Sequence, residues 1–235
     1  MPGKLYLIPS FIGDANPELY LPTGLTELLS RIPVIFTENA KTTRRFMKSC
    51  GISPPYDAFE FYIVDKKTDE TELLEAFQTL YRGNDAALVS EAGAPAIADP
   101  GSELIKLAHD SGIRVIPLPG PSSFVQALSA SGLNGQQFVF HGYLPIQEQP
   151  RTKMIKRIDQ EAYKSGYTQI FMETPYRNPQ LFKSLLKALN PKTRLCMALS
   201  INSVKEDIRT MLVRDWKTID FQPEKLPAVW LINRS

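Results

Sequence analysis

Cysteine and histidine are scarce in this chain of 235 residues, which holds two of each: Cys50, Cys196, His109 and His141. The two cysteines lie far apart and outside any metal-ligand spacing, which argues against a disulfide framework and predicts two reduced thiols. Two isolated histidines do not make a zinc-ligand set, so no metal centre is expected. Long apolar runs are missing too. None approaches the roughly 18–20 residues that a membrane span needs, and Met1, Pro2, Gly3 and Lys4 lead straight into a strand-like run without a signal-peptide pattern. A soluble, cytoplasmic protein with no membrane partner is expected. An excess of one charge is also absent: 27 basic and 25 acidic residues leave a net charge of +2, so no global field advertises a polyanion. Neither G-x-G-x-x-G nor G-x-x-x-x-G-K-[ST] occurs, which removes the dinucleotide fingerprint and the P-loop.

What the chain does have is 43% apolar residues, enough for a sizeable core, and a length that suits two domains. Short, continuously apolar runs at LYLI (5–8), VIF (34–36), FYIV (61–64), AALV (86–89) and VIPL (115–118) alternate with helix-length amphipathic stretches such as 69–82 and 101–111. Strands without polar alternation, separated by helices, predict a mostly parallel sheet covered on both faces. Beyond them lie FVFHGYL (138–144), QIFM (169–172), RLCMAL (194–199), DIRTMLV (207–213) and AVWLI (228–232). Short polar connections between some of the last three predict hairpin pairing and a mixed sheet. The expected architecture is α/β, with an N-terminal domain at 1–118 and a C-terminal domain at 119–235. Two basic clusters, Lys41/Arg44/Arg45/Lys48 and Arg151/Lys153/Lys156/Arg157, each fall on one helical segment. Each reads either as a solvated face or as a phosphate-contacting surface.

Two loops stand out. AGAPAIADPG (92–101) follows the strand at 86–89, and loops at the carboxyl ends of strands are where open α/β sheets bind ligands. Gly93 lets the backbone approach a ligand, Pro95 and Pro100 fix the path, and Asp99 is placed to cap a helix beginning near Pro100 or Gly101. LPGPSS (118–123) follows the next strand, and Ser122 and Ser123 are placed to cap a helix and present hydroxyls. Two such loops after consecutive strands belong on the same sheet edge. Each taken alone is equally consistent with a rigid structural turn.

Taken together and in order, LYLIPSFIGD (5–14), LVSEAGAPAIADPG (88–101), VIPLPGPSSFVQALSASGL (115–133), FVFHGYLP (138–145) and FMETPYRN (171–178) resemble the tetrapyrrole (corrin/porphyrin) methylase family. Within it they are most similar to the branch that methylates ribose 2′-hydroxyls of small-subunit ribosomal RNA. The resemblance implies two α/β domains with a cofactor cleft between them, S-adenosylmethionine as cofactor, and a homodimer. It assigns the cofactor to Ala92, Gly93, Ala94, Pro95, Ile97, Ala98 and Asp99, to Ser122 and Ser123, and to Met172, Leu199, Ser200, Pro227 and Ala228. The departures lie on the acceptor side: SFIGDA (10–15) stands for TPIGNL, ENAKTT (38–43) for EDTRxT, ETPYR (173–177) for ESPHR, and ALSINS (198–203) for ARELTK.

Methyl transfer from a sulfonium is an in-line displacement, so the protein's part is alignment, exclusion of water and, for a hydroxyl acceptor, removal of a proton. Glu38, Glu91 and Glu173 sit at or just beyond strand ends and are the candidate bases. Arg44, Arg45 and Arg177 suit acceptor phosphates, Tyr176 suits base stacking, and His141 reads as a packed histidine. RNA, in the small ribosomal subunit, is the partner this pattern favours, with a basic rim formed by helix 41–48 and Arg177. A tetrapyrrole-like small molecule, or a regulatory module that binds the cofactor without transfer, are the alternatives.

Overall fold

The computed structural model describes residues 2–13, 17–53, 55–65 and 68–234. Asp14 and Ala15 of the SFIGDA segment lie outside the described residues. The chain divides into two compact units, Met1–Ser122 and Ser123–Ser235, each with its own five-stranded sheet.

In the first unit the elements run β1 (Leu5–Ile8), α1 (Pro17–Tyr20), α2 (Leu25–Arg31), β2 (Val34–Thr37), α3 (Ala40–Ser49), β3 (Glu60–Ile63), α4 (Glu70–Tyr81), β4 (Ala86–Val89), α5 (Ser102–Asp110) and β5 (Val115–Pro117). All strand pairs are parallel, in the order β3-β2-β4-β1-β5. Alternate side chains serve two cores. Leu5, Val34, Phe36, Ala86 and Leu88 pack with Phe77 and Leu80 of α4 and Leu104 of α5. Ile8, Ile35, Ala87 and Val89 pack with Leu29 of α2 and Phe46 and Met47 of α3. A strand buried on both faces has no polar side, which is why these strands are short, continuous apolar runs.

The second unit runs α6 (Ser123–Ser131), β6 (Phe138–Tyr143), α7 (Glu148–Ser165), β7 (Thr168–Glu173), a 3-10 turn (Pro175–Arg177), α8 (Asn178–Ala188), β8 (Arg194–Leu199), β9 (Asp207–Leu212), α9 (Val213–Trp216) and β10 (Ala228–Asn233). Its sheet is mixed, in the order β6-β7-β10-β8-β9, with only β6 and β7 parallel. β8 and β9 form the expected hairpin, whereas β10 enters between β7 and β8. The burial pattern explains the placement: every residue of β10 is buried, while β9 is largely half-exposed and suits an edge. Val213, expected to end β9, begins α9 instead.

One side of this sheet packs against α7, α8 and α9 through Phe171, Met197, Trp230, Ile155, Phe182 and Trp216. The other side meets α6 through Ala127 and Leu128. Arg151 lies on neither the solvated nor the phosphate-contacting surface expected of its cluster: it is 4% exposed, with Nε donating to Ser184 Oγ at 3.2 Å and Nη1 to the Ile146 carbonyl at 2.6 Å. Its position on the stripe shared with Ile155, Ile158 and Ala162 turns it inward.

The core of this unit also holds a polar lock. Buried Asn178 donates from Nδ2 to the Leu226 carbonyl and accepts from Trp230 Nε1, both at 2.8 Å, tying the start of α8 to the turn before β10. Trp230→Phe removes the indole donor and leaves a void. The expected stability loss is about 2–4 kcal/mol, read as a lower urea midpoint.

Candidate functional site

Strand order singles out one place on the first sheet. β1 and β4 are neighbours, yet α2, following β1, packs on one face and α5, following β4, on the other. Adjacent strands whose connections leave on opposite faces define a topological switch point, the usual binding crevice of a doubly wound sheet. Here the two loops are joined: Ser10 N donates to the Gly93 carbonyl at 3.1 Å, and Gly93 N to the Ser10 carbonyl at 3.2 Å. Ser90 Oγ also donates to the Gly93 carbonyl. The loop after β5 closes in on the same place, since a Cβ on Gly93 would lie 3.5 Å from the Pro121 carbonyl oxygen, and one on Gly120 would lie 2.5 Å from Pro9 Cβ.

The loop itself is strained. Gly93 (φ 76°), Ala96 (60°), Ala98 (61°) and Gly101 (116°) all have left-handed backbone, which costs an alanine about 1–2 kcal/mol and persists only where the surroundings enforce it. Gly93 and Pro95 are buried and Ala94 and Asp99 half-buried, whereas Glu91, Ala92, Ile97 and Ala98 are exposed. Asp99 does not cap α5. The N-cap is Gly101, without a side-chain bond, because the left-handed cap sits where a Cβ would meet Leu88 Cδ2 at 2.6 Å. Ser10 Oγ, buried in this corner, has no hydrogen-bond partner among the described residues, although buried hydroxyls ordinarily have one.

In the second unit, register gathers the residues named from the sequence. Ala228 pairs with Glu173 on one side and Leu199 on the other, and Ser200 N donates to the Pro227 carbonyl at 2.8 Å. Ser123, the first residue of α6, places its hydroxyl 3.9 Å from the Met172 sulfur. Ser122 ends the first unit and is half-buried. Here too the loop is strained, with Ser200 at φ 49° and Asn202 at 62°. Asn202 is held by a reciprocal amide pair with Gln126 of α6, at 3.1 and 3.3 Å. Sequence reading did not find Ser10, Gln126 or Asn202. No period or motif links Gln126 to Asn202, and Ser10 gains meaning only from its contact with Gly93.

The candidate bases separate. Thr37 pairs with Val89, so Glu38 and Glu91 follow neighbouring strand ends, Glu38 half-buried and Glu91 exposed. Glu173 is in the other unit and already engaged. Its carboxylate accepts Arg177 Nε and Nη2, both at 2.7 Å, and the Thr174 amide at 2.7 Å. Arg177 Nη2 also reaches the Leu144 carbonyl at 3.3 Å. The pair holds the 3-10 turn that presents Tyr176, which is 84% exposed. Arg44 and Arg45 are exposed on α3, with the Arg44 guanidinium 4.6 Å above the Phe61 ring. His141 bonds Gln169 Oε1 through Nε2 at 2.7 Å and is packed as expected. Burial pushes the Cys50 and Cys196 thiols up to about 11, so neither offers a thiolate at neutral pH. Glu173→Gln is expected to lower stability by about 3 kcal/mol, because it leaves the Arg177 guanidinium without its carboxylate. The double variant Glu173→Gln/Arg177→Met should regain part of that loss in urea unfolding.

A family model for tetrapyrrole (corrin/porphyrin) methylases matches residues 4–207. The chain is 31% identical over 229 residues to the ribosomal RNA small subunit methyltransferase I of Escherichia coli O157:H7, spanning 97% of this chain and 72% of that protein. It is 28% identical over 233 residues to the protein of the same name from Pseudomonas aeruginosa, spanning 98% and 78%. Among solved structures, the methyltransferase CobJ matches with a TM-score of 0.61 at 16% identity, over 99% of this chain and 95% of that one. The uroporphyrin-III C-methyltransferase of Thermus thermophilus, complexed with S-adenosylhomocysteine, matches with a TM-score of 0.56 at 18% identity, over 98% and 97%. At these identities the structural likeness speaks for the fold. With a family model covering most of its length, and relatives of up to 31% identity aligned along nearly all of it, the chain belongs to the tetrapyrrole (corrin/porphyrin) methylase family.

Proposed function

We propose that this methyltransferase takes its methyl group from S-adenosylmethionine and transfers it to a ribose 2′-hydroxyl of ribosomal RNA, acting as a homodimer in the cytoplasm. The observation that carries the cofactor assignment is the left-handed backbone of Ala96 and Ala98 at the β1/β4 switch point, strain of the kind that proteins keep at ligand sites. The residues present fit an adenosine cofactor. Ala92, Ile97 and Ala98 offer small or apolar exposed surface, the turned backbone offers amides and carbonyls, and Ser10 brings a buried hydroxyl without a partner among the described residues. Gly93, Ala94, Pro95, Asp99 and Ser122 complete this set. Ser123, Met172, Leu199, Ser200, Pro227 and Ala228 form the second.

When bound, S-adenosylmethionine supplies an electrophilic methyl group on a leaving group that departs neutral. The chain's residues then have two tasks. Rigid loops hold the reacting groups in line and exclude water. A carboxylate at the first sheet's edge, Glu91 or Glu38, takes the proton from the acceptor hydroxyl. Glu173 is a positioning residue: through Arg177 it fixes the turn that presents Tyr176 to an unstacked base, while Arg44 and Arg45 meet phosphates.

The RNA assignment is supported by the names of relatives that align along almost the whole chain. Incubating the protein with methyl-labelled S-adenosylmethionine and small ribosomal subunits lacking this modification should place label in the RNA. The labelled nucleotide should survive alkaline hydrolysis as a dinucleotide, because a 2′-O-methyl group removes the attacking hydroxyl. Label that enters a porphyrinogen but not RNA would overturn the acceptor, and cofactor binding with transfer to neither would leave a regulatory module.

A further inference from the structure

Lys41, Arg44, Arg45 and Lys48 recur at i, i+3, i+4 and i+7 on α3 and are all exposed, while Thr43, Phe46 and Met47 bury the opposite side. They therefore form one stripe about 10 Å long at about 1.5 Å per residue. None of the four has a carboxylate within ion-pair distance among the described residues. In contrast, Arg31, Arg157, Arg177, Arg209, Arg214 and Arg234 are each paired with one. Beside the stripe lies edge strand β3. Arg44 is set over Phe61, Phe59 lies 6.4 Å from Phe61, and Tyr56 donates its hydroxyl to the Arg44 carbonyl at 3.2 Å. Tyr56, Phe59 and Phe61 are half-buried against the core and seat Arg44, so the signature here is the electrostatic one: exposed cations without carboxylate partners, aligned on one helix face. The other basic cluster lacks that character, because Arg151 is buried and Arg157 is held by Glu161 at 2.7 Å.

We infer that the α3 stripe, with Lys41 and Lys48 added to Arg44 and Arg45, tracks the phosphodiester backbone of the RNA acceptor and binds it without regard to sequence. The inference rests on the RNA reading above. Neutralising phosphates releases counterions, so affinity falls with salt by about 0.7 in log–log slope per contact on a single strand. Fluorescence anisotropy with a short labelled single-stranded RNA of mixed sequence measures that slope. Replacing all four residues by Gln should reduce the slope by about 3 and weaken binding at least about tenfold at moderate salt. Lys153→Gln/Lys156→Gln on α7 should leave the slope in place. All six side chains are exposed, so circular dichroism should be unchanged.

An unchanged slope in the four-residue variant, an equal loss in the α7 control, or no RNA binding by the unmodified protein at low salt would each overturn the α3 surface. S-adenosylmethionine titrations on the same samples keep the two readings apart. A cofactor that fails to bind contradicts the methyl-transfer reading, whereas normal cofactor binding with an unaltered salt slope contradicts only the stripe.

Discussion

Two backbone hydrogen bonds between Ser10 and Gly93 govern the shape of the first unit's candidate binding edge. The strand order makes β1 and β4 neighbours while sending their following helices to opposite faces, so their loops would otherwise splay apart. Joined at Gly93, the chain after β4 must fold back on itself before α5 can start. It does so through left-handed residues at 93, 96, 98 and 101. Two of the four are alanines, which adopt that conformation at a cost of about 1–2 kcal/mol each. The alanines lie between two fixed points, Gly93 bonded to Ser10 and Gly101 set close against Leu88. The loop thus offers its backbone groups in a fixed array, with little ordering left to occur when a ligand arrives.

The second unit reaches a similar result with one backbone bond and several side chains. Ser200 and Asn202 are held in left-handed backbone by the Ser200–Pro227 bond and the Gln126–Asn202 amide pair. Asn178 fixes the turn that precedes Ala228, and Glu173 with Arg177 fixes the turn that carries Tyr176. Buried polar groups with all their partners in place make a site rigid. Ser200 and Pro227 are themselves among the residues proposed for the cofactor, and the Glu173–Arg177 pair stands behind Tyr176.

Much of the fold was legible in the sequence for a physical reason. β1, β4 and β8 match their apolar runs to the residue, because strands buried on both faces need unbroken hydrophobicity and end where turn residues begin. The central position of β10 was less visible, since strand order depends on relative burial across distant segments. Arg151 was misplaced because its charge outweighed its position on the α7 stripe. In the candidate site, the proline- and glycine-rich loop announced rigidity and a place on the sheet edge, but left-handed alanines have no compositional signature. Asp99 looked like a cap by type, yet the close approach to Leu88 gave that place to Gly101. Glu173 looked like a base by its place at a strand end, and only the geometry of Arg177 reveals its engagement.

Titration of the protein with S-adenosylmethionine by calorimetry, beside a Gly93→Trp variant, tests most directly whether the switch-point loop is the cofactor site. Gly93 is buried at φ 76°, a backbone conformation that side chains rarely adopt, so an indole there strains the loop and crowds the Ile12 and Pro121 neighbours. Saturable binding by the unmodified protein that disappears in a folded Gly93→Trp variant is the result this structure predicts. Absence of binding at millimolar-order cofactor, or equal binding by both proteins, would contradict it.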